Sequence, residues 1–511
     1  MNVLLINPPV VKPSEPPAGL ARLAATLRAH HVSCHVLDAN LEGMLALLQM
    51  PCSTRDTWTR RAGRALSTNL SLLRSAAAWQ SFDRYQRAVL DCNRVLAMNA
   101  RGSGVKVSFA DYRDEHRSPL RIGDLLEASQ RPVANPFFPY FSQRLACLLA
   151  ETPNLVGFSV NFLSQALTAF AMAGFIRAQC SKVKIVLGGG LITSWVRRGL
   201  RGNPFSGLVD ELIDGPGEAR LLALCGQEAP SRVVMQPDYT GLPDPVHYLS
   251  PTRILPYSGS SGCYWNRCAF CPEQAEGTPY VPIVPEQMCR EVQALVHSFH
   301  PGLVHFLDNA LSPAHLTALI RNPPGIPWYG FARITKELTD PEYCRSLRQA
   351  GCCMLQLGIE SGDDEVLEAL HKGITTQQIE QALRSIHSAG IAVYAYLLFG
   401  TPPETYELAM HTRDLVVRLS SCIDFVNCSL FNMPLAGFAK GNGAEGLFYD
   451  ADLSLYRDFA HPQGWTRANV RRFFDREFKR HPVIAGMVRR DPPLFTSNHA
   501  PFFCTGWQES R

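Results

Sequence analysis

The feature that most restricts the fold of this chain is the alternation of short apolar strands with helical stretches in its second half. Strands separated by helices run parallel and need helices to cover their faces. Six such strands predict a parallel sheet that curls into a partial (β/α)6 barrel of the TIM type, with its functional site at the carboxyl ends of the strands. The predicted strands are 254–258, 303–307, 327–332, 353–359, 391–398 and 423–430.

The first half of the chain shows the same alternation with one long interruption. This pattern predicts an N-terminal parallel sheet of the doubly wound, flavodoxin or Rossmann type. Residues 45–150, which contain a helical stretch at 66–99, interrupt the alternation and are interpreted as an insertion. The predicted strands are 3–6, 33–37, 155–160, 184–187 and 208–213, and the predicted helices are 19–30 and 164–179.

Chain length and proline spacing predict how these parts are divided. A chain of 511 residues exceeds the roughly 250–300 at which single cores stop growing, so at least two domains are expected. Four prolines between positions 237 and 251 predict an irregular linker. The predicted parts are a domain at 1–235, a linker at 236–253, a barrel at 254–430 and a small α-rich C-terminal region at 431–511, with a helical stretch at 465–480.

Composition and charge argue against several classes of protein. The net charge of +4 is small and the arginines are scattered, so no nucleic-acid partner is expected. The first apolar run is short and has no basic leader, so neither a signal peptide nor a membrane segment is expected, and the predicted location is the cytoplasm. The 16 cysteines are then reduced thiols. The isolated ones, interpreted as small buried hydrophobes, are Cys34, Cys52, Cys92, Cys147, Cys180 and Cys225.

Three further cysteines form a compact motif directly after the first predicted barrel strand. Cys263, Cys268 and Cys271 lie within nine residues, with Gly262 before them. Thiolates are ligands of both zinc and iron–sulfur clusters. Structural zinc needs four ligands, whereas a cluster held by three leaves one iron open. No fourth ligand is near in the sequence, which favours the cluster and leaves a zinc-stabilised, non-catalytic binding module as the alternative.

This motif resembles that of the radical S-adenosylmethionine (SAM) superfamily, in which three and then two residues separate the cysteines and an aromatic residue precedes the third. Phe270 matches that aromatic. The first gap here holds four residues, 264–267, one more than usual, and a Gly-Cys-Tyr-Trp opening with this gap resembles a subgroup with an N-terminal cobalamin (B12)-binding domain. The resemblance implies a [4Fe-4S] cluster that cleaves SAM reductively to a 5'-deoxyadenosyl radical, with electrons from an external flavodoxin- or ferredoxin-type donor.

Other positions match segments that bind SAM in this superfamily. Glu360 lies in a Gly-Ile-Glu-Ser-Gly segment and implies a contact to SAM, although it could instead cap the next helix. Arg333 is expected to reach the SAM carboxylate or the substrate, or else to pair with Glu360. Phe270 and the turn at Gly400 complete the predicted SAM site. A cofactor role is also considered for Asp308, and Asn309 beside it.

The N-terminal half resembles the cobalamin-binding domain that precedes the barrel in such enzymes. The loops that would lie against cobalamin contain Ser159, Gly188, Gly189, Gly190, Gly215 and Glu218. The Asp-x-His-x-x-Gly segment that supplies an axial histidine in one class of cobalamin proteins is absent. The cofactor would then bind without a histidine on cobalt, or the domain would have kept the fold and lost the cofactor.

With both cofactors, the resemblance implies methyl transfer to an unactivated carbon or phosphorus of a small-molecule or peptide substrate. The alternative is a radical cyclisation or rearrangement without methylation. Methylthiotransferase activity would need a second cluster, for which the isolated N-terminal cysteines supply no motif.

Overall fold

The computed structural model describes residues 1–51, 54–200, 202–228, 235–435, 451–491, 493 and 500–503. The chain divides into two compact units. The first is Met1–Arg253 with Ala451–Leu455, and the second is Ile254–Asp450 with Tyr456–Arg511. Among the described residues, every helix is too short or too polar to cross a membrane. Cys52 and, in the predicted C-terminal region, residues 436–450, 492, 494–499 and 504–511 lie outside the described residues.

The first unit is built on a five-stranded parallel sheet with the order β2-β1-β5-β6-β7. This is the flavodoxin-type strand order. Strands are added on one side of β1 up to β2 and on its other side from β5 onward, so the order switches between β1 and β5. The strands are β1 Asn2–Ile6, β2 Ser33–Leu37, β3 Val105–Val107, β4 Tyr112–Asp114, β5 Leu155–Ser159, β6 Lys184–Gly188 and β7 Glu211–Leu212. The helices are α1 Ala18–Ala29, α2 Ala39–Gln49, α3 Thr57–Arg64, α4 Leu66–Leu73, α5 Ala77–Gln80, α6 Phe82–Ala100, α7 Ile122–Gln130, α8 Phe138–Leu149, α9 Leu163–Gln179, α10 Gly190–Arg197 and α11 Glu218–Leu224.

Two predicted elements of the first unit differ from the structure. The helical stretch at 66–99 is three helices, α4, α5 and α6, because the chain folds back and packs α4 on α6. The strand at 208–213 is reduced to Glu211–Leu212 because the backbone N–H groups of Leu208 and Val209 bond to the carbonyl of Phe205 in a turn. Of the isolated cysteines, Cys92 is buried, whereas Cys147 is exposed.

The proline-rich residues 236–253 are irregular and pack within the first unit. Tyr248 donates its hydroxyl hydrogen bond to the buried carboxylate of Asp38 at 2.7 Å. Leu249 bonds through its backbone N–H to the carbonyl of Pro13 at 2.7 Å. These hydrogen bonds hold the segment in place, although its prolines prevent regular backbone pairing.

The second unit contains a six-stranded, fully parallel sheet with the order β15-β14-β13-β12-β11-β8. The six predicted barrel strands are all present, each within a few residues of its predicted ends. The strands are β8 Ile254–Tyr257, β9 Ser260–Ser261, β10 Val281–Pro282, β11 Leu303–Leu311, β12 Trp328–Ala332, β13 Cys352–Glu360, β14 Ala392–Phe399, β15 Phe425–Leu430, β16 Met433–Pro434 and β17 Tyr456–Arg457. The helices are α12 Pro272–Ala275, α13 Pro285–Phe299, α14 Pro313–Arg321, α15 Pro341–Gln349, α16 Asp364–Ala369, α17 Thr376–Ser388, α18 Tyr406–Arg418, α19 Arg467–Phe473 and α20 Pro482–Arg489.

Local sequence explains where the barrel helices begin. Proline stands at the first position of α13, α14 and α15, where its missing N–H costs nothing. Thr375 and Gln378 form a capping box at α17, and Thr405 caps α18. The strands between them are almost wholly buried, as expected when helices cover a parallel sheet. Because the strands themselves are buried, the candidate site is expected in the loops that follow their carboxyl ends.

Candidate functional site

The cysteine loop begins at the carboxyl end of β8, and Asp308 of β11 holds its first turn. The Asp308 carboxylate accepts hydrogen bonds from the N–H of Gly259 at 2.9 Å and from the hydroxyl of Ser260 at 2.5 Å. Burial raises the pKa of Asp308. Both of its oxygens are engaged by the loop, so the structure gives Asp308 a positioning role.

Gly262 and a short strand pair close the base of this loop. Ser261 of β9 pairs with Val281 of β10 in an antiparallel bridge, so residues 262–280 form one closed loop. Gly262 has φ +71°, and a Cβ there would lie 2.4 Å from the carbonyl oxygen of Pro279. Only glycine fits this position.

The three predicted ligands lie on this closed loop as free thiols. Cys268 is buried, and Cys263 and Cys271 are half-buried. Burial raises the pKa of Cys271. Among the described residues, no three His, Cys, Asp or Glu side chains are arranged to hold a metal ion. Ligation of a cluster by these cysteines therefore stays a prediction that rests on the chemistry of the donors and on their position.

Trp265, in the four-residue gap between the first two cysteines, fastens the loop to the segment after α16. Its indole N–H donates to the carbonyl of His371 at 3.0 Å. The ring packs so closely on Gly373 that a Cβ there would lie 2.3 Å from it. The N–H of Ala269 also bonds to the carbonyl of Leu370 at 3.0 Å. The four-residue gap thus contains a side chain, Trp265, that packs against the segment after α16.

The side chain of Arg333, the residue directly after β12, contacts this loop. Its Nη1 lies 3.5 Å from the sulfur of Cys268, and its Nη2 donates to the carbonyl of Lys372. The guanidinium carbon lies 4.4 Å from the centroid of the Trp265 ring. The ion pair between Arg333 and Glu360 considered from the sequence is not formed.

Glu360, the last residue of β13, forms its ion pair with Lys372 instead. The Lys372 ammonium lies 2.8 Å from Oε1, and the two side chains are only 5% and 13% exposed. Glu360 has φ +65°, a strained conformation for a residue with a side chain. It does not cap the following helix, since Asp363 accepts the N–H bonds of Glu365 and Val366 at the start of α16.

Phe270 and Lys372 connect Glu360 to the cysteine loop. The Lys372 ammonium lies 5.7 Å from the centroid of the Phe270 ring. A Cβ on Gly358 would lie 2.5 Å from Glu360 Oε1 and 2.8 Å from the Lys372 ammonium, so glycine makes room for the pair. The structure therefore brings Arg333 and Glu360 close to the cysteine loop, of which Phe270 is a part. The sequence reasoning used Trp265 only as part of the Gly-Cys-Tyr-Trp opening and gave it no role. It missed Lys372, which belongs to no recognisable motif.

Gly400 lies at the end of β14 in a turn held by Glu404. The N–H of Gly400 donates to Glu404 Oε2 at 2.5 Å, and the indole N–H of Trp465 donates to the same oxygen at 3.0 Å. Burial raises the pKa of Glu404 to about 7. His461 contacts the carbonyl of Thr401 at 2.8 Å through Nε2. Residues near the C-terminus of the chain thereby cover the turn.

A cavity of about 290 Å³ opens beside this turn, within the second unit. The ends of β14 and β15 form one wall and residues 457–470 form the other. Its lining is mainly aromatic and aliphatic, with a few polar side chains between them. The lining includes Phe399, Gly400, Leu430, Phe431, Asn432, Met433, Arg457, Phe459, His461, Trp465, Arg467 and Val470.

In the first unit, most of the residues predicted to contact cobalamin lie at the carboxyl edge of the sheet. Ser159 pairs with Gly188 at the ends of β5 and β6. Gly189 has φ +102°, and a Cβ there would lie 2.7 Å from the carbonyl oxygen of Val160, so the turn itself requires glycine. A Cβ on Gly188 or Gly190 would meet nothing closer than 3.7 Å. Gly215 and Glu218 follow β7, with Glu218 at the start of α11.

Part of the second unit matches the sequence model of a known protein family. Residues 257–416 match the family model described as the radical SAM superfamily, from the last residue of β8 through the cysteine loop and into α18. The chain carries a radical SAM domain at these residues. The family prediction made from the cysteine motif is confirmed.

Two curated relatives share parts of the sequence. An uncharacterized methyltransferase of Pyrococcus horikoshii is 24% identical over 54% of this chain and 66% of its own length. The hopanoid C-2 methylase of Rhodopseudomonas palustris is 31% identical over 34% of this chain and 36% of its own length. This chain thus spans between about a third and two thirds of these relatives.

A solved structure shares the architecture of nearly the whole chain. The radical SAM methyltransferase TsrM of Kitasatospora setae, solved with cobalamin and a [4Fe-4S] cluster, matches with a TM-score of 0.50 and 18% identity. The match covers 94% of this chain and 83% of TsrM. At this identity the likeness concerns the fold, and it confirms the predicted fold class of a doubly wound sheet followed by a partial barrel.

Proposed function

We propose that this radical SAM protein is an enzyme that holds a [4Fe-4S] cluster through Cys263, Cys268 and Cys271, binds cobalamin, and methylates an unactivated carbon or phosphorus of a small-molecule or peptide substrate. The observation that carries the proposal is the closed loop of three free thiols at the carboxyl end of β8. The methyltransferase and methylase relatives, and the cobalamin and cluster in the TsrM structure, support it.

The donor set fits a cluster better than zinc. The three thiols lie on one loop, and among the described residues no His, Cys, Asp or Glu side chains form the closed group of ligands that structural zinc would need. Two cationic side chains, Arg333 and Lys372, lie beside the loop, where their charges can offset the negative charge of a cluster. When bound, such a cluster supplies an open iron site for SAM and the electron that cleaves it, and that electron must come from an external reductant.

The polar groups beside the loop fit the amino acid part of SAM. The Tyr264 hydroxyl is buried with no hydrogen-bond partner among the described residues, and burial raises the pKa of Tyr264 to about 12. It therefore stays protonated and can donate to a carboxylate. Glu360, which has φ +65° and is paired with Lys372, can accept from an ammonium or a ribose hydroxyl.

The cavity at Gly400 fits the nucleoside part of SAM. Its volume of about 290 Å³ is close to the lower end of the 300–1,000 Å³ typical of ligand pockets. Gly400, at φ +80°, lines the cavity, and Phe431 and Phe459 supply apolar surface for a flat ring. The role of this chain at the nucleoside is therefore to exclude water and orient the ring.

The glycines at the edge of the first sheet support cobalamin binding. Gly190 begins α10, where glycine costs up to about 1 kcal/mol relative to alanine. Among the described residues, a Cβ at that position would meet no atom closer than 3.9 Å, so packing within the unit leaves room for a larger residue. A backbone left bare at the carboxyl edge of a parallel sheet fits close approach by a ligand.

The test is anaerobic reconstitution of the full chain with iron and sulfide, followed by incubation with SAM, a reductant and hydroxocobalamin. Both 5'-deoxyadenosine and S-adenosylhomocysteine are expected as products. A triple variant, Cys263→Ala/Cys268→Ala/Cys271→Ala, should yield no 5'-deoxyadenosine.

Other outcomes separate the alternatives. Formation of 5'-deoxyadenosine alone would favour radical cyclisation or rearrangement over methylation. A protein that binds zinc, takes up no iron and forms neither product would contradict radical chemistry and support a zinc-stabilised binding module.

A further inference from the structure

We infer that Arg333 sets the reduction potential of the cluster by donating a charge-assisted hydrogen bond to the thiolate of Cys268, with Trp265 holding the guanidinium in place. This inference rests on the proposed function, because it requires a cluster at the cysteine loop. It assigns Arg333 to the cluster and not to the SAM carboxylate predicted from the sequence.

The guanidinium of Arg333 is fixed at both ends. Nη1 lies 3.5 Å from the sulfur of Cys268, and Nη2 donates to the backbone carbonyl of Lys372. The residue is 8% exposed, so water competes little for these donors. With one nitrogen bound to a carbonyl and the other aimed at the sulfur, the planar group has little freedom to turn toward another acceptor.

Trp265 covers the flat face of this guanidinium. The guanidinium carbon lies 4.4 Å from the ring centroid, a distance suited to a cation–π contact. The ring is held by its hydrogen bond to His371 and by its packing on Gly373. Asn266, next to Trp265, takes the left-handed φ of +44°. The longer gap between the first two cysteines thus carries the tryptophan that stabilises Arg333.

A buried positive charge at a ligand sulfur favours the reduced cluster, which carries one more negative charge than the oxidised one. Hydrogen bonds to the sulfurs, net charge and solvent exposure are the terms by which proteins tune these potentials. The interaction is strong where the medium is poorly polarisable, and screening by water is weak at a residue this buried. Arginine stays charged at every accessible pH. The neighbouring Lys372 is compensated by Glu360, so Arg333 is the uncompensated cation nearest to Cys268 among the contacts described above.

The test is an EPR-monitored redox titration of the reconstituted full chain. Arg333→Gln should shift the midpoint potential of the cluster to more negative values, and Trp265→Phe should shift it in the same direction by less. The matched control is Arg267→Gln. Arg267 is exposed and lies over the same indole, with its guanidinium carbon 5.1 Å from the ring centroid, so its loss should leave the potential unchanged.

SAM affinity, measured by equilibrium dialysis of the oxidised protein, separates the two roles of Arg333. We expect Arg333→Gln to keep wild-type affinity for SAM. An unchanged midpoint together with a loss of SAM affinity would overturn the inference and return Arg333 to the SAM carboxylate. If Arg333→Gln holds no cluster, Trp265→Phe decides, and a wild-type midpoint in that variant overturns the inference. A wild-type protein without iron would instead refute the proposed function itself.

Discussion

At the scale of single residues, the buried carboxyl of Glu404 couples the turn at Gly400 to the C-terminal part of the chain. One of its oxygens accepts from both Gly400 and Trp465. Burial raises the pKa of Glu404 from the ordinary value near 4.5 to about 7. This carboxyl therefore titrates near neutral pH.

The pH dependence of stability follows from this shift. Because the folded state holds the proton more tightly than the unfolded chain, the contribution of Glu404 is complete below about pH 4.5 and is lost as the pH rises toward 7. The loss amounts to about 3 kcal/mol. Glu404→Gln keeps the shape and cannot ionise, so its melting temperature should rise relative to wild type between pH 5 and pH 7.5.

The matched control is Glu407→Gln, three residues later in the first turn of α18, where the side chain is exposed. Its melting temperature should follow that of wild type at every pH. A constant difference between Glu404→Gln and wild type across the range would contradict the raised pKa of Glu404.

The ion pair of Glu360 and Lys372 is the second buried charge at this scale. Lys372→Met leaves the carboxylate buried without its partner, which should lower the free energy of unfolding by about 3–5 kcal/mol in urea titrations. The double variant Glu360→Gln/Lys372→Met should recover much of that loss. The surface pair of Arg384, which is exposed, and Glu380, which is half-buried, provides the control, and Arg384→Met should change the free energy of unfolding by under about 1 kcal/mol. A double variant as unstable as the single one would show that the pair itself is not the cause.

At the scale of elements, the cysteine loop depends on contacts with a segment about a hundred residues later in the chain. Trp265 and Ala269 bond to backbone carbonyls of residues 370 and 371. Arg333 bonds to the carbonyl of Lys372. The loop geometry is thus set by the turn after α16 as much as by the loop's own residues.

Gly373→Ala should disrupt the loop. The new Cβ would lie 2.3 Å from the Trp265 ring, so the indole must move. We expect reduced iron content after reconstitution and a changed tryptophan fluorescence spectrum. Gly277→Ala is the control, because Gly277 has a similar φ of +66° but open space around its Cβ position. In both variants the alanine must adopt a left-handed conformation, which lowers the free energy of unfolding by about 1–2 kcal/mol. Equal iron content in the two would refute a role for the Gly373 contact.

At the scale of the whole molecule, two compact units each carry one of the proposed cofactor sites. The glycines at 188–190 belong to the unit that contains residues 1–253, and the cysteine loop belongs to the unit that begins at residue 254. Each parallel sheet places its loops at the carboxyl edge, so each unit can form its site from its own strands.

Binding of the two cofactors should therefore be separable in the full chain. Gly190→Ala should weaken binding of hydroxocobalamin, followed by absorbance titration, while iron content stays at the wild-type level. The triple cysteine variant should show the reverse, with no iron and wild-type cobalamin affinity. A melting temperature at or above wild type for Gly190→Ala would rule out misfolding, because alanine is the better helix residue. Loss of both cofactors in either variant would contradict independent sites.

Much of the architecture was predictable because its signals are local. Apolar runs bounded by glycine and proline located all six barrel strands, and prolines and threonines marked the helix starts. The prediction was wrong where contacts between distant residues prevail. The stretch at 66–99 is three helices because α4 and α6 pack together, and the segment before β7 is a turn around Phe205.

The sequence by itself determined which residues could carry the chemistry, since three thiols in nine residues after a barrel strand and a matching aromatic are visible as a pattern. It also placed Glu360 and Gly400 at strand ends. Only the tertiary structure decided what surrounds them. Lys372 rather than Arg333 neutralises Glu360, and Arg333 points at Cys268 beneath Trp265. The reason is physical: these contacts join side chains from different strands and loops, and their distances depend on how the sheet curls and not on any local pattern.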